Sequence, residues 1–240
     1  GGAEVLLVNL IRRLDRRRIE PELCCLKELG PLGEELANEI PAHQDLIGGK
    51  FDIAVLWRLV RLMHKRKIDA IVTVGAGDKM FWGRLAAKLA GVPAICSALH
   101  STGWPDGVGK LNRMLTPITD AFIGVARPHG QHLIENERFP AERVHVIPNG
   151  VDTDRFQPNP QAAARLRHEL NIPADAPVCG IVAALRPEKN HELFVEAAAR
   201  VHQNLPGSHF VIVGDGPERA KIASAIANSD LTAHVHLLVS

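Results

Sequence analysis

Val178-Cys179-Gly180-Ile181-Val182-Ala183-Ala184-Leu185 is an apolar run that passes into the basic turn Arg186-Pro187-Glu188-Lys189-Asn190 and then into a long amphipathic segment. Apolar residues at Leu193, Phe194, Ala197, Ala198, Val201 and Leu205 fall on one face at helical spacing, which predicts a helix over Lys189–Leu205 with Lys189 in its first turn. A buried strand that ends in cations at the start of a helix is how an α/β protein builds an anion site. Unpaired backbone N–H groups point at the anion, and each Arg or Lys adds a charge-assisted hydrogen bond of roughly 1.5–3 kcal/mol where water is excluded. A diphosphate is the natural guest. Basic residues beside a proline also make ordinary solvated loops, and this segment alone does not choose between the two.

Outward from this stretch, strand-like and helix-like segments alternate, which predicts an α/β protein with parallel sheets covered by helices. Helical runs fall at Val5–Leu14, over Ile53, Leu56, Val60 and Met63, and at Phe81–Leu89, Gln161–Leu170 and Pro217–Ala227. Strands fall at Glu22–Leu26, Asp69–Val74, Val92–Ala98, Ala121–Ala126, Val144–Ile147, Val178–Ala183, His209–Val213 and Val235–Val239. The stretch from Pro148 to Pro177 is proline-rich and polar, and reads as a crossover. The expected organisation is therefore a first domain over 1–147, a crossover over 148–176 and a second domain over 177–240. Gly1-Gly2-Ala3-Glu4 reads as a loop-to-helix junction that would normally follow a strand, and the second domain falls short of the usual domain size, so both ends read as cut.

The chain has 240 residues, 46% of them hydrophobic, which is enough for proper cores. A net charge of +1 gives no general field for a nucleic-acid backbone, and no nucleic-acid partner is expected. The short run Arg16-Arg17-Arg18 leaves a peripheral membrane association open. Cys24, Cys25, Cys96 and Cys179 have no metal-ligand spacing, and three of them lie in apolar runs that read as buried strands, as for reduced core thiols of a cytoplasmic protein. No apolar stretch approaches the roughly 20 residues of a membrane helix, and no signal-peptide pattern opens the chain. The twelve histidines lack any joint ligand pattern, and the closest pair, His234-Val235-His236, reads as one face of a surface strand, so no metal is expected.

Gly1-Gly2-Ala3-Glu4, Ile147-Pro148-Asn149-Gly150-Val151-Asp152, Pro187-Glu188-Lys189-Asn190-His191 and Gly214-Asp215-Gly216-Pro217 stand in an order and spacing that resembles the family 4 glycosyltransferases over essentially the whole chain. The resemblance implies the GT-B architecture, with an acceptor-side Rossmann-like domain and a nucleotide-sugar-binding domain. It implies a retaining transfer of a sugar from a nucleotide-diphosphate sugar to an acceptor hydroxyl, with no cofactor and no metal. Gly1 and Gly2 would lie against the donor phosphates, as their freedom from side chains allows. Arg186 and Lys189 would hold the diphosphate, and Asn149, Gly150, Gly214, Asp215 and Gly216 would form donor-side loops. Asp215 reads as a helix cap rather than an acid, and Pro217 as the first residue of its helix. His100, in a strand-end loop before Ser101-Thr102-Gly103, would contact the transferred sugar by resemblance, although spacing alone makes it a packing or surface residue.

Two positions depart from the family pattern. The usual arginine position is Ala184, with Arg186 placed after Leu185 instead, and Ala126 replaces a common serine. The family's pair of glutamates, seven residues apart, does not occur before Ser240, so these residues alone are expected to be inactive. The acceptor, whether glycan, lipid or small molecule, is not specified. The competing readings are a GT-B nucleotide-sugar 2-epimerase and a non-catalytic nucleotide-binding piece. A nicotinamide dehydrogenase is disfavoured, because Gly75-Ala76-Gly77-Asp78 lacks the third glycine of the dinucleotide fingerprint.

Overall fold

A computed structural model describes residues 2–49, 51–75, 78–100 and 113–239, and the chain divides into two compact units, Gly1–Asp152 and Thr153–Ser240. The first unit carries α1 (Gly2–Arg13), β1 (Leu23–Cys24), α2 (Gly30–Leu36), β2 (Ala42–His43), α3 (Val55–Arg66), β3 (Ala70–Val74) and α4 (Asp78–Leu89). β4 (Ala94–Ala98), β5 (Ala121–Gly124), α5 (Arg127–Glu135) and β6 (Val144–Val146) complete it. Its strands form a parallel pair, β1-β2, and a parallel four-stranded sheet in the order β3-β4-β5-β6. Val55, Leu59, Val60 and Met63 of α3 bury against Ala86 and Ala87 of α4 and against Ile95 of β4. The 3.6-residue period of α3 thus becomes a packed face. α1 buries Val8 and Ile11 on Leu36 and Ile40.

The second unit contains α6 (Pro160–Glu169), β7 (Val178–Val182), α7 (His191–Asn204), β8 (His209–Val213), α8 (Arg219–Ala227) and β9 (Val235–Leu238), with a parallel sheet in the order β7-β8-β9. α6 starts on an Asn159 side chain that accepts the Ala162 N–H at 3.0 Å, with Pro160 at its first position. Below it, the Arg167 guanidinium donates to the carbonyls of Pro173 and Ala176, and Ile172 and Ala176 pack on Val211 of β8. The main core joins Leu185, Val195 and Ala198 to Phe210, Ile212, Ile222 and Ile226.

Several expectations are corrected. Lys189 lies in a short 3-10 turn, Pro187–Lys189, and α7 begins two residues later, because Asn190 adopts a left-handed backbone at φ 48° and breaks the run. α8 begins at Arg219, so Pro217 stands ahead of the helix. The thiols are not core residues: Cys24 and Cys179 are exposed, and Cys25 and Cys96 are half-buried. Among the described residues β7 pairs only with β8; on it Val182 is 81% exposed and Cys179 is exposed. The helices α2 and α5 and the strand β2 were not anticipated. Among the described residues, no helix is long and apolar enough to cross a membrane.

His234 precedes β9 rather than belonging to it, yet it joins a cluster where β8 and β9 begin. His209 Nδ1 lies 3.3 Å from His236 Nε2, and the His234 ring sits 4.2 Å from that of His202 and 4.9 Å from that of His209. Burial first, and then the neighbouring imidazoles, push His209 and His236 below the usual imidazole range, with Arg167 adding to the effect at His209. Unfolded histidine takes up its proton near a pKa of about 6.5, whereas these two resist protonation when folded. The unfolded chain therefore binds more protons as the pH falls through about 6.5, and stability declines until the folded pKa values are passed. The unfolding midpoint is expected to drop between about pH 7.5 and about pH 5.5, and His236→Gln should flatten that slope. Thermal melts across this range check it, and a flat wild-type profile would remove the linkage.

Candidate functional site

In a parallel sheet every strand delivers its following loop to the same edge, so the loops after β7 and β8 must emerge side by side. Backbone hydrogen bonds fasten them together: Ala183 N–H donates to Val213, Leu185 N–H to Asp215 at 2.9 Å, and Glu218 N–H to Leu185 at 3.0 Å. The approach is so close that a Cβ on Gly214 would stand 2.0 Å from the Ala183 carbonyl oxygen. Gly216, at φ +155°, would bring a Cβ within 2.5 Å of the Leu185 carbonyl. These glycines are therefore needed for the junction of the two loops. Asp215 does not cap α8; its Oδ1 accepts the Gly216 N–H at 2.9 Å and stays within its own loop.

This junction presents Arg186 and Lys189 at the carboxyl edge of the sheet, just before the N-terminus of α7. Both side chains are exposed, and neither makes an ion pair or side-chain hydrogen bond with any described residue. The nearby charges are already matched, since Lys221 pairs with Glu192 at 2.6 Å and Glu218 at 3.5 Å. Arg186 also lines a cavity of about 80 Å³ with Pro187, Asn190, His191, Glu192, Glu218 and Lys221, whereas Lys189 does not. His191, which the sequence reading passed over, is only 2% exposed, and among the described residues both its ring nitrogens lack a partner. A histidine in a basic, polar string carries no sequence signal of burial.

In the first unit, the carboxyl edge of the four-stranded sheet carries His100, two residues beyond β4, and Asn149 and Gly150 beyond β6. Leu99 N–H donates to Ile123 and Ile147 N–H to Gly124, which fixes where these two loops depart. Burial holds His100 below the usual imidazole range, so it is neutral at physiological pH. Beside it, His129 is buried on α5, where its Nδ1 accepts the Val125 N–H at 3.3 Å. This hydrogen bond leaves the proton of a neutral His129 on Nε2, an atom with no partner among the described residues. Burial first, then His132 and His100, lower the His129 pKa. His129 was also missed, because an isolated histidine on a short helix does not stand out. At the start of α5, Ala126 gives no side-chain cap, as its lack of a hydroxyl dictates.

The remaining assignments divide. Gly1 and residues 101–112 lie outside the described residues. Gly2 is already the first residue of α1, with nothing within 4 Å of a would-be Cβ. Asn149 and Gly150 lie in irregular chain beyond β6, and Gly150 has open space where a Cβ would stand. Asp152, from the same string, pairs with Arg13 at 2.7 Å and ties α1 to the end of the first unit. Among the described residues, no group of three or more His, Cys, Asp or Glu could hold a metal ion.

Comparison with known proteins bears on this geometry. Residues 1–155 match the family described as Glycosyltransferase Family 4, and residues 163–240 match Glycosyl transferases group 1. The chain is 26% identical over 254 residues to the EpsF protein of Bacillus subtilis, covering 99% of this chain and 65% of that protein. It is 29% identical over 231 residues to the UDP-Gal:alpha-D-GlcNAc-diphosphoundecaprenol alpha-1,3-galactosyltransferase of Escherichia coli, covering 90% of this chain and 59% of that one. Among solved structures, Anabaena HepE in complex with UDP superposes with a TM-score of 0.77 at 20% identity, over 100% of this chain and 66% of HepE. The chain thus spans 59–66% of the length of these proteins.

Proposed function

Because this chain belongs to glycosyltransferase family 4 and has the GT-B fold, we propose that it forms part of an enzyme that transfers a sugar from a nucleotide-diphosphate sugar to an acceptor hydroxyl. One observation carries the reading: two exposed cations, Arg186 and Lys189, stand free of carboxylates on a loop braced by Gly214 and Gly216 at the carboxyl edge of a parallel sheet. The donor diphosphate supplies the missing counter-charge. The names of the relatives support UDP as the first nucleotide to test, since the galactosyltransferase of Escherichia coli uses UDP-Gal and HepE was solved with UDP.

The transfer is proposed to retain anomeric configuration and to run without metal. The anomeric carbon–oxygen bond breaks with its electron pair going to the diphosphate, and the acceptor oxygen bonds to that carbon from the same face. The acceptor proton passes to the departing phosphate oxygen. Lys189, and Arg186 beside it, stabilise the charge that grows on the leaving group, the role a metal ion would otherwise fill. His100, kept neutral by burial, would present a ring N–H or nitrogen to a hydroxyl of the transferred sugar. Gly2, Asn149 and Gly150 are assigned to the donor side on family membership alone.

Calorimetric titration of the chain with UDP, GDP and ADP tests the donor reading. At least one nucleoside diphosphate is expected to bind with a Kd between about 1 μM and about 1 mM, while the matching nucleoside binds at least tenfold more weakly. Equal binding of nucleoside and diphosphate would discard the cation-based site.

A further inference from the structure

At the edge of the second sheet where its strands begin, His202 of α7, His209 of β8, His234 just ahead of β9 and His236 of β9 stand together. The register sets Val211 of β8 opposite His236, so alternation along β8 puts His209 and His236 on one face. His209 Nδ1 lies 3.3 Å from His236 Nε2. Zinc–imidazole bonds of about 2.0–2.1 Å at a tetrahedral angle hold two ligand nitrogens roughly 3.3–3.4 Å apart, so the pair already has the spacing of two ligands on one ion. His234 Nδ1 lies 3.2 Å from the Ser208 carbonyl, which can only accept, so the ring proton is on Nδ1 and Nε2 keeps its lone pair. Metal-binding histidines are commonly oriented by this kind of bond to a backbone carbonyl. Burial keeps His209 and His236 neutral, the form in which imidazole binds a metal. Arg167, which donates to the Pro173 and Ala176 carbonyls, disfavours positive charge at His209 and so works against a hard ion held by electrostatics alone. The ions that prefer imidazole remain.

We propose that His209 Nδ1 and His236 Nε2 bind one transition-metal ion of the zinc type, with water in its remaining positions. Among the described residues no three such side chains converge on one point, so two imidazoles and solvent make up the tetrahedron. Each neutral ring carries one proton. With the ion in place it sits on Nε2 of His209 and on Nδ1 of His236, so the proton held between the two rings moves to the far nitrogen of its own ring and none is released. Half the ligand set of a structural zinc site implies roughly half its binding free energy, hence a Kd between about 1 μM and about 200 μM. β8 runs five residues from His209 to Val213, which sets this pair roughly 16 Å from the loop at Gly214. The ion therefore ties β8 to β9 and takes no part at the diphosphate, and the failure of this site leaves the donor reading standing.

The test is calorimetric titration of the tag-free chain with zinc chloride, without nucleotide, paired with thermal melts. One equivalent of Zn²⁺ is expected to bind, and Zn²⁺ at tenfold over its Kd should raise the unfolding midpoint of the second unit by about 3 °C or more. Mg²⁺ at the same concentration should do neither. His209→Gln and His236→Gln should each weaken Zn²⁺ binding by about tenfold or more, whereas His168→Gln, at an exposed position on α6, should leave it unchanged. Each variant is compared with its own melt in the absence of Zn²⁺, which separates a lost site from a weakened fold. Absence of a one-equivalent event overturns the proposal. Binding that survives in His236→Gln, or that falls equally in His168→Gln, overturns it too, since the ion would then be held by scattered surface histidines.

Discussion

Gly214→Ala is expected to lower the unfolding midpoint of the second unit by more than about 10 °C. The added methyl would stand 2.0 Å from the Ala183 carbonyl oxygen and 3.0 Å from its carbonyl carbon, and both are backbone atoms with no rotamer to move aside. The two loops could separate only by stretching the Leu185-to-Asp215 and Ala183-to-Val213 hydrogen bonds and by disturbing Leu185, which is fully buried in the core. Overpacking of this kind costs about 3 kcal/mol, and each kcal/mol shifts the midpoint of a domain this small by about 4–8 °C. Gly150→Ala supplies the internal control. Nothing lies within 4 Å of its would-be Cβ, so its effect should stay within about 0.5 kcal/mol. A melt in which Gly214→Ala behaves like Gly150→Ala would contradict the tight loop junction.

The elements that were legible in the sequence are those whose burial is carried by apolar residues. β8 coincides with its expected span, His209–Val213, because a run of apolar residues there is closed by Gly214. α5 was invisible for the opposite reason: its buried positions are His129, Gly130 and Leu133, so a histidine and a glycine occupy places where a period of apolar side chains would show. The errors at Lys189 and Pro217 have a shared cause. Helix starts were read from the apolar period, whereas the actual starts follow from the backbone just ahead of each helix. Asn190 in its left-handed turn and the Glu218 N–H committed to Leu185 both delay the helix. Arg186 and Lys189 stood out in the sequence because they lie between an apolar run and an amphipathic one, and the structure leaves both exposed beyond β7. Buried His191 and His129 did not, since what sets them apart is a ring nitrogen buried without a partner among the described residues, and burial belongs to the fold.

The largest effect on activity is expected at Lys189, measured in the complete protein that contains this chain. Lys189→Ala should lower kcat by about 10²- to 10³-fold while changing KM for the donor less. The asymmetry follows from when the charge appears. In the ground state the diphosphate shares its charge with the sugar-bound oxygen, and only as that bond breaks does a full additional negative charge build at the leaving oxygen. A cation fixed nearby therefore favours the transition state over bound substrate. Lys189 has no carboxylate among the described residues to neutralise it, so its whole charge is available. Arg186 is placed differently: it lines a cavity with Lys221, so a second cation remains there when Arg186 is removed. Arg186→Ala should accordingly cost about tenfold, the smaller of the two losses. Rescue of Lys189→Ala by Arg at the same position should be partial, because a broad planar guanidinium does not reproduce a compact ammonium. Steady-state kinetics on the three variants decide the matter. A Lys189→Ala enzyme with near-normal kcat, or one in which Arg186→Ala is the more damaged, would place the leaving-group charge on other residues.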